Sequence, residues 1–278
     1  MKKIAAVTMV RNDDFFLRRW TAYYGSQIGE ENLYILLDGK DQPVPDWCPK
    51  ANIEARERVE GKVVASDKGR IELLSDLAAK LFEAGYELVI GCDADEFLVV
   101  DPALGIGLAE YLSKTPVRGS LSGLGIDVGQ KIDEEGDFKE EETFLSQRHY
   151  AEIGTRYTKT AVISEPLRWG SGFHRVKGRN FHIGKDLYLF HFGYCDLGRI
   201  KARFSDADRA AAGWTKHLKK RSRTIRHCTK LKARKWEPTV RFARFLATVC
   251  RPPYAWNKPA LLGMILVVRI PQRFQNIV

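Results

Sequence analysis

The block Gly91-Cys92-Asp93-Ala94-Asp95-Glu96-Phe97 sets two carboxylates two residues apart, directly after the apolar run Glu87 to Cys92. Side chains at i and i+2 of an extended segment point the same way, so Asp93 and Asp95 are expected to present two carboxylates to one cation. Gly91 would allow close backbone approach. Oxygen donors of this kind suit Mg²⁺ or Mn²⁺, and an ion that keeps open positions can take up diphosphate oxygens. With 17 Asp in the chain, about one such pair is expected by composition alone, and Asp206-Ala207-Asp208 is a second. That copy lies in an amphipathic helical pattern with no apolar strand before it and reads as a solvated face. For the first copy, the competing reading is a capped strand end bearing ordinary surface acids.

The elements that would hold this block can be read from periodicity. Ile4 to Val10 is an apolar run that stops at Arg11-Asn12, where Asn12 can cap a helix with Asp13 and Asp14 in its first turn. Phe16, Trp20 and Tyr24 then follow at helical spacing. Leu33 to Leu37 reads as a second strand closed by Asp38-Gly39, and Lys62 to Ala65 as a third. Over 71–82, Ile71, Leu74, Leu77, Ala78, Leu81 and Phe82 form one helical stripe, with Gly85 placed to end the helix. Glu87 to Cys92 is a buried strand, and Asp101-Pro102 looks like the start of a helix over 103–113.

Strand, helix, strand, strand, helix, strand implies an α/β fold whose central sheet is mostly parallel and flanked by helices. Such sheets bind ligands beyond the carboxyl ends of their strands, where Arg11-Asn12, Asp38 and Asp93-Ala94-Asp95 all fall. Short strands follow at 117–126, 158–163 and 187–192, interrupted by an acidic hairpin or loop from Asp133 to Glu142. A helix spans Asp196 to Gly213. The expected division is a catalytic α/β domain over 1–213, with a nucleotide-binding half at 1–100 and an acceptor-binding half at 101–213. A basic helical tail fills 214–278.

The composition is 44% hydrophobic and 29% charged, that of an ordinary globular chain, which excludes disorder or a collagen-like repeat. Five cysteines without CxxC spacing argue against a zinc module and for free thiols in a reducing compartment. Met1-Lys2-Lys3 and the apolar run after it lack a small-residue cleavage site and read as a first strand rather than a signal peptide. The longest C-terminal apolar run, Ala260 to Val268, is far short of a membrane span.

The segments VTMVRNDDFFLRRWTAYY, LLDG, VIGCDADEFLVV and FHFGYCDLGRIKARF resemble bacterial family-2-like glycosyltransferases of the GT-A fold. The resemblance covers about residues 3–205, with the DADEF block its most specific part and 120–185 matching loosely. It implies a Rossmann-like nucleotide-binding half and a nucleotide-sugar donor held on Mn²⁺ or Mg²⁺. On that likeness Thr8, Val10, Arg11 and Asn12 line the base pocket, Asp38 contacts base or ribose, and Lys68 and Arg70 contact the nucleotide or its diphosphate. Asp93 touches ribose or metal, Asp95 is the firmer metal ligand, and His191 is a third ligand that would favour Mn²⁺.

An inverting transfer also needs a carboxylate to take the acceptor's proton, and Asp127, Glu152, Glu165 and Asp186 are available. Glu165 is chosen because the stretch from Trp169 to Arg175 looks suited to lining a sugar pocket, with Trp169 and His174 as sugar-binding residues.

Charge is distributed unevenly. Residues 1–200 carry a net −6 and residues 201–278 a net +16, with ten Lys/Arg and no acid between Lys216 and Lys235. Basic residues interleaved with apolar ones over 216–246 suit an anionic membrane surface. No nucleic-acid module accompanies them, so no specific nucleic acid is expected as a partner. The expected protein is a cytoplasmic glycosyltransferase, peripheral on the inner membrane. It would move a sugar, UDP-linked, to a surface glycan acceptor of lipopolysaccharide, capsule or exopolysaccharide. The alternatives are a nucleic-acid-binding protein acting through the tail and a metal-dependent phosphohydrolase using the same carboxylates.

Overall fold

Ile4–Val10 forms strand β1, buried along its whole length, and in the computed structural model it lies between two parallel neighbours, β2 (Leu33–Asp38) and β4 (Leu88–Gly91). The structure describes residues 1–59, 63–205 and 223–278. A fourth parallel strand, β3 (Asn52–Arg56), completes this half on the outer edge of β2. Helix α1 (Asp14–Ile28) crosses from β1 to β2 and buries Phe16, Trp20 and Tyr24, the face its spacing predicts. Helix α2 (Val63–Glu83) covers the other face of the sheet with Ile71, Leu74, Ala78 and Leu81, and Gly85 follows it with φ 83°. A parallel sheet covered by helices on both faces is the arrangement that near-continuous apolar strands require.

Past β4 the sheet becomes mixed. The two-residue strand β8 (Val162–Ile163) runs antiparallel between β4 and β6 (Ser120–Val128) and joins the halves. Beyond it, β7 (Tyr150–Ile153) pairs with β6, and β10 (Leu266–Arg269) with β7. Strand β9 (Ile183–His191) runs parallel to β6 and antiparallel to β5 (Glu96–Val100). Three short helices lie on this half: α3 (Leu108–Lys114), α4 (Phe144–Gln147) and α5 (Leu197–Ser205).

The basic segment contributes helices α6 (Arg223–Lys230) and α7 (Trp236–Val249) as well as β10. It therefore joins the sheet as well as carrying the expected helices. Trp236 packs among Tyr188, Phe190 and Phe274, and Arg273 closes on Asp101 through two hydrogen bonds of 2.7 and 2.8 Å.

Several local expectations are corrected. Residues 63–65 of the strand expected over 62–65 are not a strand: α2 already begins at Val63, so Lys68 and Arg70 lie within it. Val63-Val64 has strand propensity, but a helix continuing into the apolar stripe over 71–82 overrides a two-residue preference. The third parallel strand is the polar edge segment 52–56. Asn12 does not cap α1; it adopts φ 47°, and Asp13 stands at the cap position, its side chain making no capping hydrogen bond to the first turn. Asp101 caps the short turn Pro102–Leu104 rather than a helix over 103–113. Of the two alternatives for the acidic stretch 133–142 it is the loop, without strands, and buried Glu135 within it accepts from the backbone N–H groups of Lys131 and His149. Of the expected helix over 196–213, residues 197–205 are helical as α5; Asp206-Ala207-Asp208, the rest of that helix and the 213/214 boundary lie outside the described residues.

Candidate metal and donor site

The chain leaves β4 at Gly91 and enters β5 at Glu96 through a tight turn, in which the Glu96 N–H donates to the Asp93 carbonyl at 3.0 Å. Gly91 is required by contact: a Cβ there would stand 2.7 Å from the Phe173 ring and 2.8 Å from that of Trp169. Cys92 is buried under α1, accepts from Trp20 Nε1, and contacts the Tyr24 hydroxyl. Burial pushes its thiol up to about 12, so it is a packing residue rather than a nucleophile.

Because the segment turns, the Asp93 and Asp95 carboxylates face different partners. Asp93 receives Arg70 Nη1 at 2.6 Å and Lys159 Nζ at 2.8 Å. Burial favours the neutral acid, but these two cations outweigh it and hold Asp93 well below the usual carboxylate range. Lys159 is itself buried and lies 2.5 Å from Glu96 Oε1, without hydrogen-bond geometry. Burial raises Glu96 to about 7 against the pull of Lys159. Arg70 also holds Asp67 at 2.9 Å.

Asp95 instead faces His191, with Oδ2 3.5 Å from Nε2. Asp95, Glu96 and His191 each offer one donor atom within 4.8 Å of one another. Burial opposes a charge on His191, but Asp95 and Asp127 more than compensate and bring it up to about 9. Its Nδ1 lies 2.7 Å from Asp127 Oδ1, while Asp127 Oδ2 accepts from the Thr224 hydroxyl. A carboxylate on Nδ1 directs Nε2 outward, the arrangement that orients metal-binding histidines. Gly193 keeps the space in front of the trio open: a Cβ there would lie 2.4 Å from Asp95 Oδ2 and 2.8 Å from His191 Nε2. Two carboxylates and an imidazole around a space reserved by glycine fit Mn²⁺ or Mg²⁺.

The structure thus brings Asp95 and His191 together and draws Asp93 to Arg70 and Lys159. Glu96, Lys159 and Gly193 are missed by the sequence reading. Glu96 adjoins the motif, but nothing in its spacing shows that the turn carries it inward. Gly193 sits in the resembling segment FHFGYCD without any periodic signal.

The residues expected around the base gather near the ends of β1 and β2. Arg11 pairs with Asp41 at 2.8 Å and donates to the Asp38 carbonyl, while Asp38 Oδ1 accepts from the Val59 N–H. Asn12 lies at the turn after β1. Thr8 is buried in β1 with its hydroxyl unbonded among the described residues, and Val10 belongs to the core. Lys68 and His174 line a separate basic cleft of about 230 Å³ with Arg175, Lys177 and Lys258. Trp169 also lines that cleft; it is largely buried, and its Nε1 donates to the Thr160 carbonyl at 2.8 Å.

Glu165 follows β8, whose antiparallel register sets Ile163 beside Val89, toward the start of β4. The opposite end of β4 carries Asp93 and Asp95. Glu165 faces Arg179 at 3.4 Å and is not brought to the trio.

No family model matches the chain, and no curated protein matches it. Among solved structures it is similar to a mannosyltransferase from Pyrobaculum calidifontis, PcManGT, in complex with GDP-Man and Mn²⁺. That likeness has 13% identity and a TM-score of 0.41, over 78% of this chain and 64% of that one. A mannose-1-phosphate geranyltransferase from Thermus thermophilus shares 10% identity, over 82% and 69% of the two chains, at TM-score 0.29. The bifunctional glycosyltransferase WbbM, in its apo structure, shares 17% over 45% and 23%, at 0.25. The chain therefore spans less than two thirds of the mannosyltransferase and under a quarter of WbbM.

Proposed function

We propose that this chain is a metal-dependent glycosyltransferase that takes a sugar from a nucleotide-diphosphate donor, UDP-linked by the resemblance, to a surface glycan. The observation that carries the reading is the trio Asp95, Glu96 and His191 around the space that Gly193 leaves open, at the carboxyl end of the parallel strands. Mn²⁺ or Mg²⁺ held there would neutralise charge on a departing diphosphate. Arg70 and Lys159 add two cations beside it, already fixed on Asp93. Arg11, Asn12 and Asp38 at the neighbouring strand ends are the residues we assign to the nucleoside, with Thr8 and Val10 shaping the strand beneath them.

The reading extends to the setting of the reaction. Phe242, Phe245 and Val249 are exposed on α7, and Tyr254 and Trp256 just beyond it, within the basic segment. No described helix is long and apolar enough to cross a membrane. We therefore assign the outer side of α7 to an anionic membrane surface, where glycan acceptors anchored in lipid would be met.

Thermal unfolding with UDP, GDP or CMP, each with and without Mn²⁺, tests the donor site. A ligand at a hundred times its Kd stabilises by about 2.7 kcal/mol, a rise of roughly 5–10 °C for a chain of this size. One nucleotide should give such a rise when Mn²⁺ is present, and Asp95→Asn should abolish it. Absence of any rise with all three nucleotides would overturn the reading.

A further inference from the structure

The metal trio is one end of a row of ionisable side chains that crosses the sheet. Register sets Glu96 of β5 against His191 of β9, His191 against Asp127 of β6, and Asp127 against Glu152 of β7. Residues paired across strands share a face, so the row lies on one side of the sheet. It ends at α6, where His227 Nδ1 lies 2.6 Å from Glu152 Oε2. Two carboxylate–histidine pairs therefore stand side by side, Asp127 with His191 and Glu152 with His227.

The second pair opens into a cleft of about 290 Å³ lined by Asp127, Glu152, Tyr157 and His227, with Met264 and Ile265 among its apolar lining residues. Tyr157 connects the two pairs, its ring stacked on His191 with centroids 3.9 Å apart. Gly125 makes that stack possible. A Cβ at residue 125 would come within 2.3 Å of the backbone at Tyr157 and Thr158, so only glycine lets the 154–158 loop lie on the sheet.

A carboxylate on Nδ1 holds a neutral imidazole in the tautomer whose lone pair is on Nε2. At His191 that nitrogen faces Asp95. At His227 the same arrangement leaves a nitrogen able to take a proton in the second cleft. The row's own carboxylates are less free to do so, because Asp127 accepts from Thr224 with one oxygen and faces His191 with the other. From His191 to Glu152 is two strand spacings, on the order of 10 Å, which leaves room for one sugar unit between a diphosphate at the trio and a hydroxyl at His227.

We propose that this cleft receives the acceptor, a sugar hydroxyl on an apolar aglycone that meets Met264 and Ile265, and that His227 is the general base, with Glu152 as its positioning residue. The inference rests on the glycosyl-transfer reading above. In the step, the acceptor oxygen forms a bond to the donor's anomeric carbon while the bond from that carbon to the diphosphate oxygen breaks, its electron pair leaving with the diphosphate. The hydroxyl proton passes to His227 Nε2, and the resulting imidazolium faces the Glu152 carboxylate until it returns the proton to solvent.

The test uses the full chain, Mn²⁺, octyl β-glucoside as the probe acceptor, and the nucleotide sugar whose nucleotide raises the melting temperature; released nucleoside diphosphate is measured. His227→Gln should lower kcat about a hundredfold, as loss of a general base does. It should leave the donor KM within about twofold and the metal-dependent melting shift intact. Added imidazole should restore part of the activity of His227→Ala, and Glu152→Gln should lower kcat by roughly tenfold at unchanged donor KM. The proposal is overturned by a His227→Gln kcat within about twofold of wild type. It is equally overturned by failure of imidazole to restore His227→Ala, by loss of the melting shift in His227→Gln, or by a wild-type protein that shows the shift but releases no diphosphate. A wild-type protein without the shift would overturn the glycosyltransferase reading itself.

Discussion

In the proposed metal site, protonation and metal binding would compete for the His191 imidazole. Without metal, Asp95 and Asp127 hold a proton on His191 up to about 9, above its value of roughly 6.5 in an unfolded chain. The stability this contributes is fully present below pH 6.5 and is lost as pH rises through about 9. Glu96, raised to about 7, acts in the same direction, because the native state holds its proton more tightly than the unfolded one. The metal-free protein should therefore melt at progressively lower temperature from about pH 6.5 to 9, while the rise caused by Mn²⁺ grows over the same range. A Mn²⁺ effect larger at pH 6 than at pH 8, measured by calorimetry, would contradict the ligand role of His191. Asp93 behaves differently, since removing its charge leaves Arg70 and the buried Lys159 short of a partner. Asp93→Asn should destabilise the metal-free protein by about 3 kcal/mol, whereas Asp95→Asn should chiefly remove the response to Mn²⁺. Denaturant unfolding separates the two, and an Asp93→Asn variant as stable as wild type would show that this carboxylate has no structural role.

At the scale of elements, the turn from β4 to β5 is held from behind. Trp169 and Phe173 press on Gly91, and Trp169 is fixed by its bond to the Thr160 carbonyl next to Lys159. Gly91→Ala should cost roughly 1–3 kcal/mol through overpacking. Combined with Trp169→Leu it should cost less than the sum of the two changes, because the smaller side chain makes room. Additive losses in urea unfolding would show that Gly91 is needed for some other reason. The helices and parallel strands of the first hundred residues were legible because their apolar periodicity is strong: Phe16, Trp20 and Tyr24 are buried as their spacing requires. Strand β3 was not, because NIEAR is a polar edge segment that becomes a strand by pairing with β2. The site was legible in the same partial way. Asp95 stands out by its place after an apolar strand and His191 through the resemblance, but Lys159 lies 63 positions after Glu96 in an unpatterned loop. A turn that splits Asp93 from Asp95 leaves no mark on an i, i+2 spacing.

At the scale of the molecule, the chain's charge and its core divide in different places. The net +16 of residues 201–278 marks out a basic tail, yet β10 pairs with β7, Trp236 packs on Phe190, and Arg273 holds Asp101. Removing residues 223–278 would strip the β7 edge and expose aromatic core, so membrane binding has to be measured on the full chain. There the basic segment and the exposed Phe245 and Trp256 lie together in sequence, and the two contributions can be separated. Each Lys or Arg near an anionic leaflet contributes on the order of 1 kcal/mol and is screened within about 8 Å at physiological salt, whereas apolar insertion depends little on salt. Sedimentation with phosphatidylglycerol-containing vesicles should therefore pull down the protein at low salt, with most binding lost in high salt and little to neutral vesicles. The pair Phe245→Ser and Trp256→Ser should weaken binding further at every salt concentration, with the nucleotide-dependent melting shift unchanged. Equal binding to neutral and anionic vesicles, or none to either, would remove the membrane from this protein's function and leave its positive charge to serve a soluble acceptor.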